Sequence, residues 1–467
     1  MTIRLTRRGA LAGLTAFSLA GCTARKQAFE AQVVVIGAGL SGLYAAMLLE
    51  EQGKDVLVLE AEQRVGGRMF TIEHAEGLTE GGGQQIGASY ARILDVASRL
   101  NVPLYEEKGR GPATAYYLNN AWQSAQDMNI SDFPAAFQKT PPATVLFRLL
   151  AAEPGLESAD AWMDAPEAMD ISAAEFLSRR GFNGDGQALI ERALNANRLE
   201  TYSVLNLHRS LQIYKQSVDM GPTRYVEGGA QRLPEAMAAS LNRPVQLGTF
   251  IQSITAKPDR VEIQAKGFAR PLVAEHVICT IPFGGLRKME KLSADLSRTQ
   301  RDAISALPYT QILQFHGRFS DQYWDADGIA PNMWLDNPLE RIFAGTDKNS
   351  DLTGFVRTWI NGEGTKGWLE SGDEAALKNC LDEIMTVRPK LANTLELTHV
   401  VNWTESNPLA GGAYMHWAPG QARRWAKDMG KPAGRLYFAG EHLSRLHTGM
   451  EGAMESGETT AFDLLNL

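Results

Sequence analysis

The chain has 467 residues, 44% of them apolar and 21% charged, with three cysteines and a formal charge of -8. That balance excludes a disordered, collagenous or multi-span membrane chain. Three cysteines cannot form a disulfide framework, and the acid excess argues against nucleic acid as a partner. The length predicts two or three domains with cores large enough to need no covalent staples.

The first 22 residues depart from this composition. Arg4, Arg7 and Arg8 form a basic head, and Gly9 to Ala20 is apolar apart from Thr15 and Ser18. A run of about a dozen apolar residues is short for a bilayer, which needs ~20, but it matches the core of an export signal. Thr6-Arg7-Arg8-Gly9 resembles a twin-arginine signal, the class that exports folded proteins. Leu19-Ala20-Gly21-Cys22 resembles a lipobox. The expectation is an export signal over 1–22, cleavage before Cys22 with lipid on its sulfur, and a linker over 23–30. The folded body would then sit in the periplasm or cell envelope, against a membrane.

Val33 to Ile36 is a β-branched run that predicts a buried parallel strand. Gly37-Ala38-Gly39-Leu40-Ser41-Gly42 follows, then a helical pattern from Leu43 to Glu51, a second strand from Val56 to Leu59, and Glu60. In this order Gly37 makes the tight turn, Gly39 lets the backbone approach a pyrophosphate, and Gly42 lets helix and strand close together. The helix start, with Leu40 and Ser41, receives the phosphate charge, and Glu60 accepts ribose hydroxyls. The pattern predicts a dinucleotide site. Arg64-Val65-Gly66-Gly67-Arg68 adds a second close-approach segment and a phosphate-neutralising cation, and Glu80-Gly81-Gly82-Gly83 adds a third. A buried, extended FAD needs these more than an exchangeable NAD does.

Tyr225 to Gln231 leads into a helix with Leu233 and Met237, and strands are predicted over Val245–Ile254, Val261–Ile263 and Val277–Ile281. Near the C-terminus, Leu436 to Gly440 reads as a short buried strand with Glu441 at its carboxyl end, where α/β sheets place ligands. Thr448 to Ala453 opens a last helix, whose unpaired N–H groups can hold an electron-rich oxygen. The expected fold class is α/β plus α+β: a Rossmann-like cofactor domain with an inserted substrate domain. The cofactor domain would comprise 31–90, 226–304 and 401–467, and the substrate domain 91–225 and 305–400.

Taken together, Gly37–Gly42 with Glu60, Arg64–Arg68, Gly81–Gly87, Trp403 with Gly411-Gly412-Ala413-Tyr414, and Tyr437–Glu441 with Met450–Ala453 resemble the flavin-containing monoamine oxidase superfamily. That superfamily includes monoamine, polyamine, L-amino-acid and nicotine-type amine oxidases. The resemblance covers roughly 30 to 465 and implies the amine oxidase fold, bound FAD, and oxidation of a C–N bond to an imine that water hydrolyses. It implies that Glu60 holds the adenosine ribose, Arg64, Gly67 and Arg68 the cofactor's charged part, and Gly440 and Glu441 its ribityl and diphosphate region. Ile251 would face the adenine, Gly83 and Gln84 would flank the cofactor, and the Met450 N–H would donate to the flavin O2. Trp403 would pack beside the flavin, and Tyr414 would be one wall of an aromatic substrate cage. Gln85, Tyr90, His447 and Gly449 would line the substrate space.

The departures from the family pattern are as informative. Ala413 stands where monoamine oxidases carry the cysteine that bonds the flavin, so the expected FAD is noncovalent. The second cage aromatic falls at Gly449, which leaves one side open, with His447 or Leu446 as weak substitutes. The family's lysine near flavin N5 falls at Gln314, a neutral amide that lacks the charge assisting reaction with O2. The electron acceptor is therefore either O2 or a periplasmic carrier. Tyr90 occupies the place of the carboxylate-binding arginine of amino-acid oxidases, which favours an amine substrate, with Arg92 or Arg357 as possible replacements for the charge. Alternatives are an L-amino-acid oxidase, a C–C desaturating flavoenzyme, and a non-catalytic FAD-binding lipoprotein. The histidines show no metal-ligand spacing, and the sequence leaves the oligomeric state open.

Overall fold

The computed structural model describes residues 29–109, 111–320 and 327–466. Cys22 and the export-signal reading lie outside these described residues. The N-terminal strand β1 (Ala31–Ile36) is buried along nearly its whole length. It lies parallel to β2 (Val56–Leu59) on one side and to the strand Leu272–Cys279 on the other. Strands covered on both faces read as continuous apolar runs, which is why Val33 to Ile36 and Val56 to Leu59 show no alternation.

Between β1 and β2, the helix α1 (Leu40–Glu51) crosses the sheet. A Cβ on Gly42 would lie 2.1 Å from the Gly37 carbonyl oxygen, so the turn and the helix can close only over glycine. The C-terminal helix Gly449–Leu465 packs against α1. A Cβ on Gly457 would come within 2.3 Å of the Ser41 carbonyl oxygen, so this crossing also depends on a missing side chain. The strand Leu436–Phe438 joins the same sheet parallel to Val277–Cys279. Both ends of the chain therefore build one sheet-and-helix layer.

Two of the predicted strands are displaced. The reading from Val245 to Ile254 holds only from Ile251, where the strand Ile251–Ala256 begins. The preceding residues run beside β2, with Gln246 donating to Val58 O at 2.9 Å and accepting from Glu60 N at 2.9 Å, before Gly248 turns at positive φ. The strand ending in Cys279 stops before Ile281: Thr280 still donates its N–H and hydroxyl to Ile36 O, and Pro282 then starts the short helix Phe283–Leu286.

The second large sheet contains Ile312–Phe319 paired with Leu352–Thr358 and Leu395–Trp403, and continues through Arg341–Thr346 and Asn332–Leu335 to Thr114–Leu118. The helix Asp373–Val387 packs on its apolar face around Phe315, Ile342 and Cys380. Helices Pro142–Leu150, Gly184–Ala193 and Leu205–Ser217 share a separate core with Phe176, Phe182 and Tyr202. A small cluster of Ile72, Ile312, Val401, Trp403 and Ala410 joins the second sheet to the segment following β2. Among the described residues no helix is long and apolar enough to cross a membrane.

Candidate active site

A cavity of about 480 Å³ starts at the glycine turn after β1 and runs to the end of the second sheet. At one end α1 points its first turn at the space. Its N-cap, Gly39, is extended, no side chain caps it, and the first turn carries no acid. A Cβ on Gly39 would meet nothing within 4 Å, so the backbone is bare toward the cavity. Glu60 is buried beside this turn and accepts from Ala38 N at 2.7 Å and Glu62 N at 2.8 Å. These bonds aim its carboxylate into the cavity wall and leave lone pairs for ligand hydroxyls. An uncapped helix start facing an acid across a bare glycine fits a dinucleotide's diphosphate and ribose.

Gly67 and Arg68 continue the wall. Arg68 Nη1 donates to Glu441 Oε1 at 3.0 Å and to the Ala413 carbonyl at 2.8 Å. Glu441 also accepts from Met415 N at 3.0 Å. One guanidinium thus ties the second glycine segment to the end of the Leu436–Phe438 strand and to the segment carrying Tyr414. Trp403 donates from its indole N–H to Gly81 O at 2.7 Å and holds the third glycine segment in the wall.

The far end of the cavity meets a second one of about 330 Å³, and both are lined by Tyr414, Glu441 and Gly449. Tyr414 lies on a two-residue strand paired with Tyr309–Thr310. Its ring borders both spaces, and its buried hydroxyl has no hydrogen-bond partner among the described residues. Burial pushes the Tyr414 phenol up, so it stays neutral. A Cβ on Gly449 would meet nothing within 4 Å, so the missing side chain leaves open space where the two cavities meet.

The second cavity lies between the 91–225 segment and the C-terminal residues Tyr414–His416, Glu441 and Thr448–Gly449. Leu146 and Phe147 come from one helix and Asn206, Arg209 and Ser210 from another, with Tyr202 and His416 between. His416 lies in sequence beside the predicted Tyr414 wall; no motif marks the other residues. Trp359 is a further aromatic in the first cavity, and no sequence motif marks it. His416 is buried, its Nδ1 lies 3.0 Å from Thr310 Oγ1, and burial pushes its pKa down to about 3. His442 is pushed to about 3 by burial and then by Arg68. Both are neutral near pH 7 and too weakly basic for a proton acceptor tuned to that range. Arg209 is buried, stacks over Trp162 and donates to the Ser444 and His447 carbonyls.

Of the sequence-derived candidates, Gly37, Gly39, Leu40, Ser41, Glu60, Gly67, Arg68, Gly83, Ile251, Gln314, Trp403, Tyr414, Gly440, Glu441, Gly449 and Met450 all border the first cavity. Several others do not. Gly42 lies behind the turn and serves the helix crossing. Arg64 turns under the second glycine segment, where it donates to Gly67 O at 2.8 Å and pairs with Glu62 at 2.8 Å. Gln84 is outside both linings, and exposed Gln85 reaches Tyr225 instead. Tyr90 and His447 pack edge to face, 6.2 Å between centroids, and line neither cavity. Arg92 is committed to Glu451 and Glu458, and Arg357 donates to Glu80 O, so neither replaces a substrate-binding arginine in these walls. Among the described residues no three His, Cys, Asp or Glu side chains could together hold a metal ion.

Comparison with known proteins agrees with this architecture. The family model described as "Flavin containing amine oxidoreductase" matches residues 40–465. An L-amino-acid oxidase from Siganus canaliculatus is 25% identical, covering 92% of this chain and 85% of its own. A flavin-containing amine oxidase from Danio rerio is 24% identical over 93% and 85%. Among solved structures, wild-type putrescine oxidase bound to putrescine superposes with a TM-score of 0.75 at 21% identity, covering 94% of this chain and 99% of that one. Cyclohexylamine oxidase from Brevibacterium oxydans IH-35A gives 0.74 at 20% over 93% and 99%. The FAD is held noncovalently: Ala413 stands in the wall, and neither Cys279 nor Cys380 lines the cavity. With a family match over most of its length and a cavity built for a dinucleotide, the chain belongs to the flavin-containing amine oxidoreductases and is an FAD-dependent oxidoreductase.

Proposed function

We propose that the protein oxidises the C–N bond of a primary, secondary or cyclic amine to an imine, which water then hydrolyses. The observation that carries this reading is the place of Tyr414, where a neutral aromatic face borders both the cofactor cavity and the second cavity. Bound FAD supplies the two-electron acceptor for the hydride leaving the α carbon. The first cavity's residues fit it as described: the α1 start and Arg68 for the diphosphate, Glu60 for the ribose, and the first turn of the Gly449–Leu465 helix for the flavin carbonyl.

The chain's own contribution is position and electrostatics. The Tyr414 face attracts a cationic or electron-poor amine nitrogen and turns the α C–H toward the cofactor. Trp359 adds a second aromatic surface, and the bare Gly449 leaves room for a bulky or cyclic amine. The apolar lining at Leu146, Ile190 and Leu207 excludes water from the amine's carbon skeleton. His416, in the wall of the second cavity, is too weakly basic to take the ammonium proton near pH 7, so the reactive amine enters neutral or loses its proton to solvent. Anaerobic bleaching of the flavin against monoamines, polyamines, cyclic amines and amino acids tests this reading. Bleaching by no amine would overturn it.

A second reading, oxidation of an amino acid, is favoured by Arg209. This buried cation borders the second cavity, and no carboxylate pairs with it among the described residues. The same panel decides between the two.

The electron acceptor is O2 or a periplasmic carrier. Stopped-flow mixing of the reduced enzyme with O2 separates these. We also propose that the protein is exported folded and anchored through a lipidated Cys22, which Arg7-Arg8 and Leu19–Cys22 support. An unmodified Cys22 in an intact chain, found by mass spectrometry, would exclude the anchor.

A further inference from the structure

Gln314 presents a neutral amide to the cofactor cavity, and two buried neighbours determine which end of that amide faces the cavity. Gln314 lies on the strand Ile312–Phe319, is almost wholly buried, and lines the first cavity. Its Oε1 lies 2.7 Å from His316 Nε2, and His316 Nδ1 lies 3.2 Å from Thr79 Oγ1. Burial, reinforced by the positive charge of Arg357 and by His399 and His74, holds the His316 pKa well below its ordinary value. The imidazole is therefore neutral and carries one proton.

Which nitrogen carries that proton follows from Thr79. Thr79 is buried, and among the described residues its hydroxyl has no hydrogen-bond partner other than His316. A buried hydroxyl donates its hydrogen where an acceptor is in reach, so Nδ1 accepts from Thr79 and the proton sits on Nε2. Nε2–H then donates to Gln314 Oε1. That leaves the Gln314 carboxamide N–H2 without a protein partner among the described residues, and it is the end presented to the cavity.

We propose that the Thr79–His316 pair is a positioning device. It fixes the Gln314 carboxamide as a neutral hydrogen-bond donor toward the cofactor, at the place where the resemblance leads one to expect a cation. Without His316 the amide rotates freely between its donor and acceptor ends. The proposal rests on the assignment of FAD to this cavity. It goes beyond that assignment by naming two residues that touch neither substrate nor cofactor but determine what Gln314 offers.

The test is a double-mutant cycle on the FAD-loaded enzyme. Its readouts are the visible spectrum of the bound flavin, its midpoint potential, and the rate of anaerobic reduction by an amine. His316→Phe and the near-isosteric Thr79→Val are each combined with Gln314→Leu. Loss of one oriented neutral hydrogen bond corresponds to about a five- to tenfold change. His316→Phe is expected to slow reduction about five- to tenfold, lower the potential and shift the spectrum, with the amine's KM nearly unchanged. Thr79→Val is expected to do the same to a smaller degree without filling or emptying the core. In the Gln314→Leu background neither change should have any further effect. Full additivity in that background, or an unshifted flavin spectrum in both single variants, would overturn the proposal. If the wild-type protein itself retained no FAD, the cofactor assignment would fail instead, a separate and distinguishable outcome.

Discussion

Arg68 and Glu441 stand 373 residues apart and meet in a 3.0 Å ion pair at the wall of the cofactor cavity. Glu441 is nearly buried, while the Arg68 side chain is a quarter exposed, toward the space the diphosphate region would occupy. The pair works as a latch between the two ends of the chain, because the same Arg68 nitrogen also holds the Ala413 carbonyl. Glu441→Ala would leave a cation facing the cavity with one carbonyl partner. The expected result is a loss of about 1–3 kcal/mol in stability, less than a fully buried pair because Arg68 is partly solvated. FAD retention through gel filtration should fall with it. Denaturant unfolding of the apoprotein separates the two effects: a loss of FAD with unchanged apoprotein stability would mean that the pair serves only the cofactor.

Tyr414 offers a face, and its hydroxyl has no partner among the described residues. Tyr414→Phe keeps the face and should leave kcat/KM within about threefold of wild type. Tyr414→Ala removes the wall shared by both cavities and should lower kcat/KM about a hundredfold, ~2.7 kcal/mol of lost transition-state stabilisation. Steady-state kinetics on one amine suffice. A severe loss in the Phe variant would mean that the hydroxyl acts in the reaction.

How much of this was legible in the sequence depends on what fixes each residue. The glycine turn, Glu60, Arg68 and Glu441 were readable because backbone geometry and phosphate charge demand those residue types at those spacings. Tyr202, Asn206, Arg209 and Trp359 were not. They line the cavities from separate elements, and nothing in local spacing separates a cavity-facing Arg209 from Leu205 and His208, buried on the same helix away from the cavity. Arg64 misled for the opposite reason: it sits in the right motif, but its guanidinium turns away to hold the Gly67 carbonyl. The Val245–Ile254 strand was over-extended because apolar residues beside β2 look like a strand although they pair with it only at Gln246.

Gly449 is the open point between the cavities, and size selection should depend on it. Gly449→Phe would place a ring where a Cβ now meets no atom. The backbone there has φ of +58°, so any side chain costs about 1–2 kcal/mol of stability. Beyond that cost, kcat/KM for a cyclic amine should fall at least tenfold more than for a small linear one. An equal fall for both would mean that the open space does not admit the substrate.

Noncovalent attachment is checked directly. Ala413 has no group able to bond the flavin, and Cys279 is buried in its strand with its thiol pushed up to about 12 by burial, a poor nucleophile. Acid precipitation of the holoenzyme should leave the yellow chromophore in the supernatant. Colour that stays with the pellet would require a covalent bond from some other residue.

The buried histidines make stability pH-dependent, and the sign follows from their folded-state pKa values. His416 and His442 are pushed from 6.5 to about 3, chiefly by burial. Below pH 6.5 the unfolded chain binds protons at these positions while the folded chain does not. Their contribution is therefore fully present above pH 6.5 and is lost as pH falls toward 3. Each such group adds about 1.4 kcal/mol per pH unit to the slope in that window. Among the described residues both ring nitrogens of His442 lack partners, and the ring packs 4.4 Å from Phe283 between centroids, so leucine can take its place at little cost in hydrogen bonding. Unfolding free energies of wild type and His442→Leu, measured from pH 8.5 down to pH 4, should diverge as pH falls. The variant's slope below pH 6 should be shallower by about 1.4 kcal/mol per unit, and the two should run parallel above pH 7. Equal slopes throughout would mean that His442 takes up its proton within the folded protein, which requires an acceptor or water at that ring.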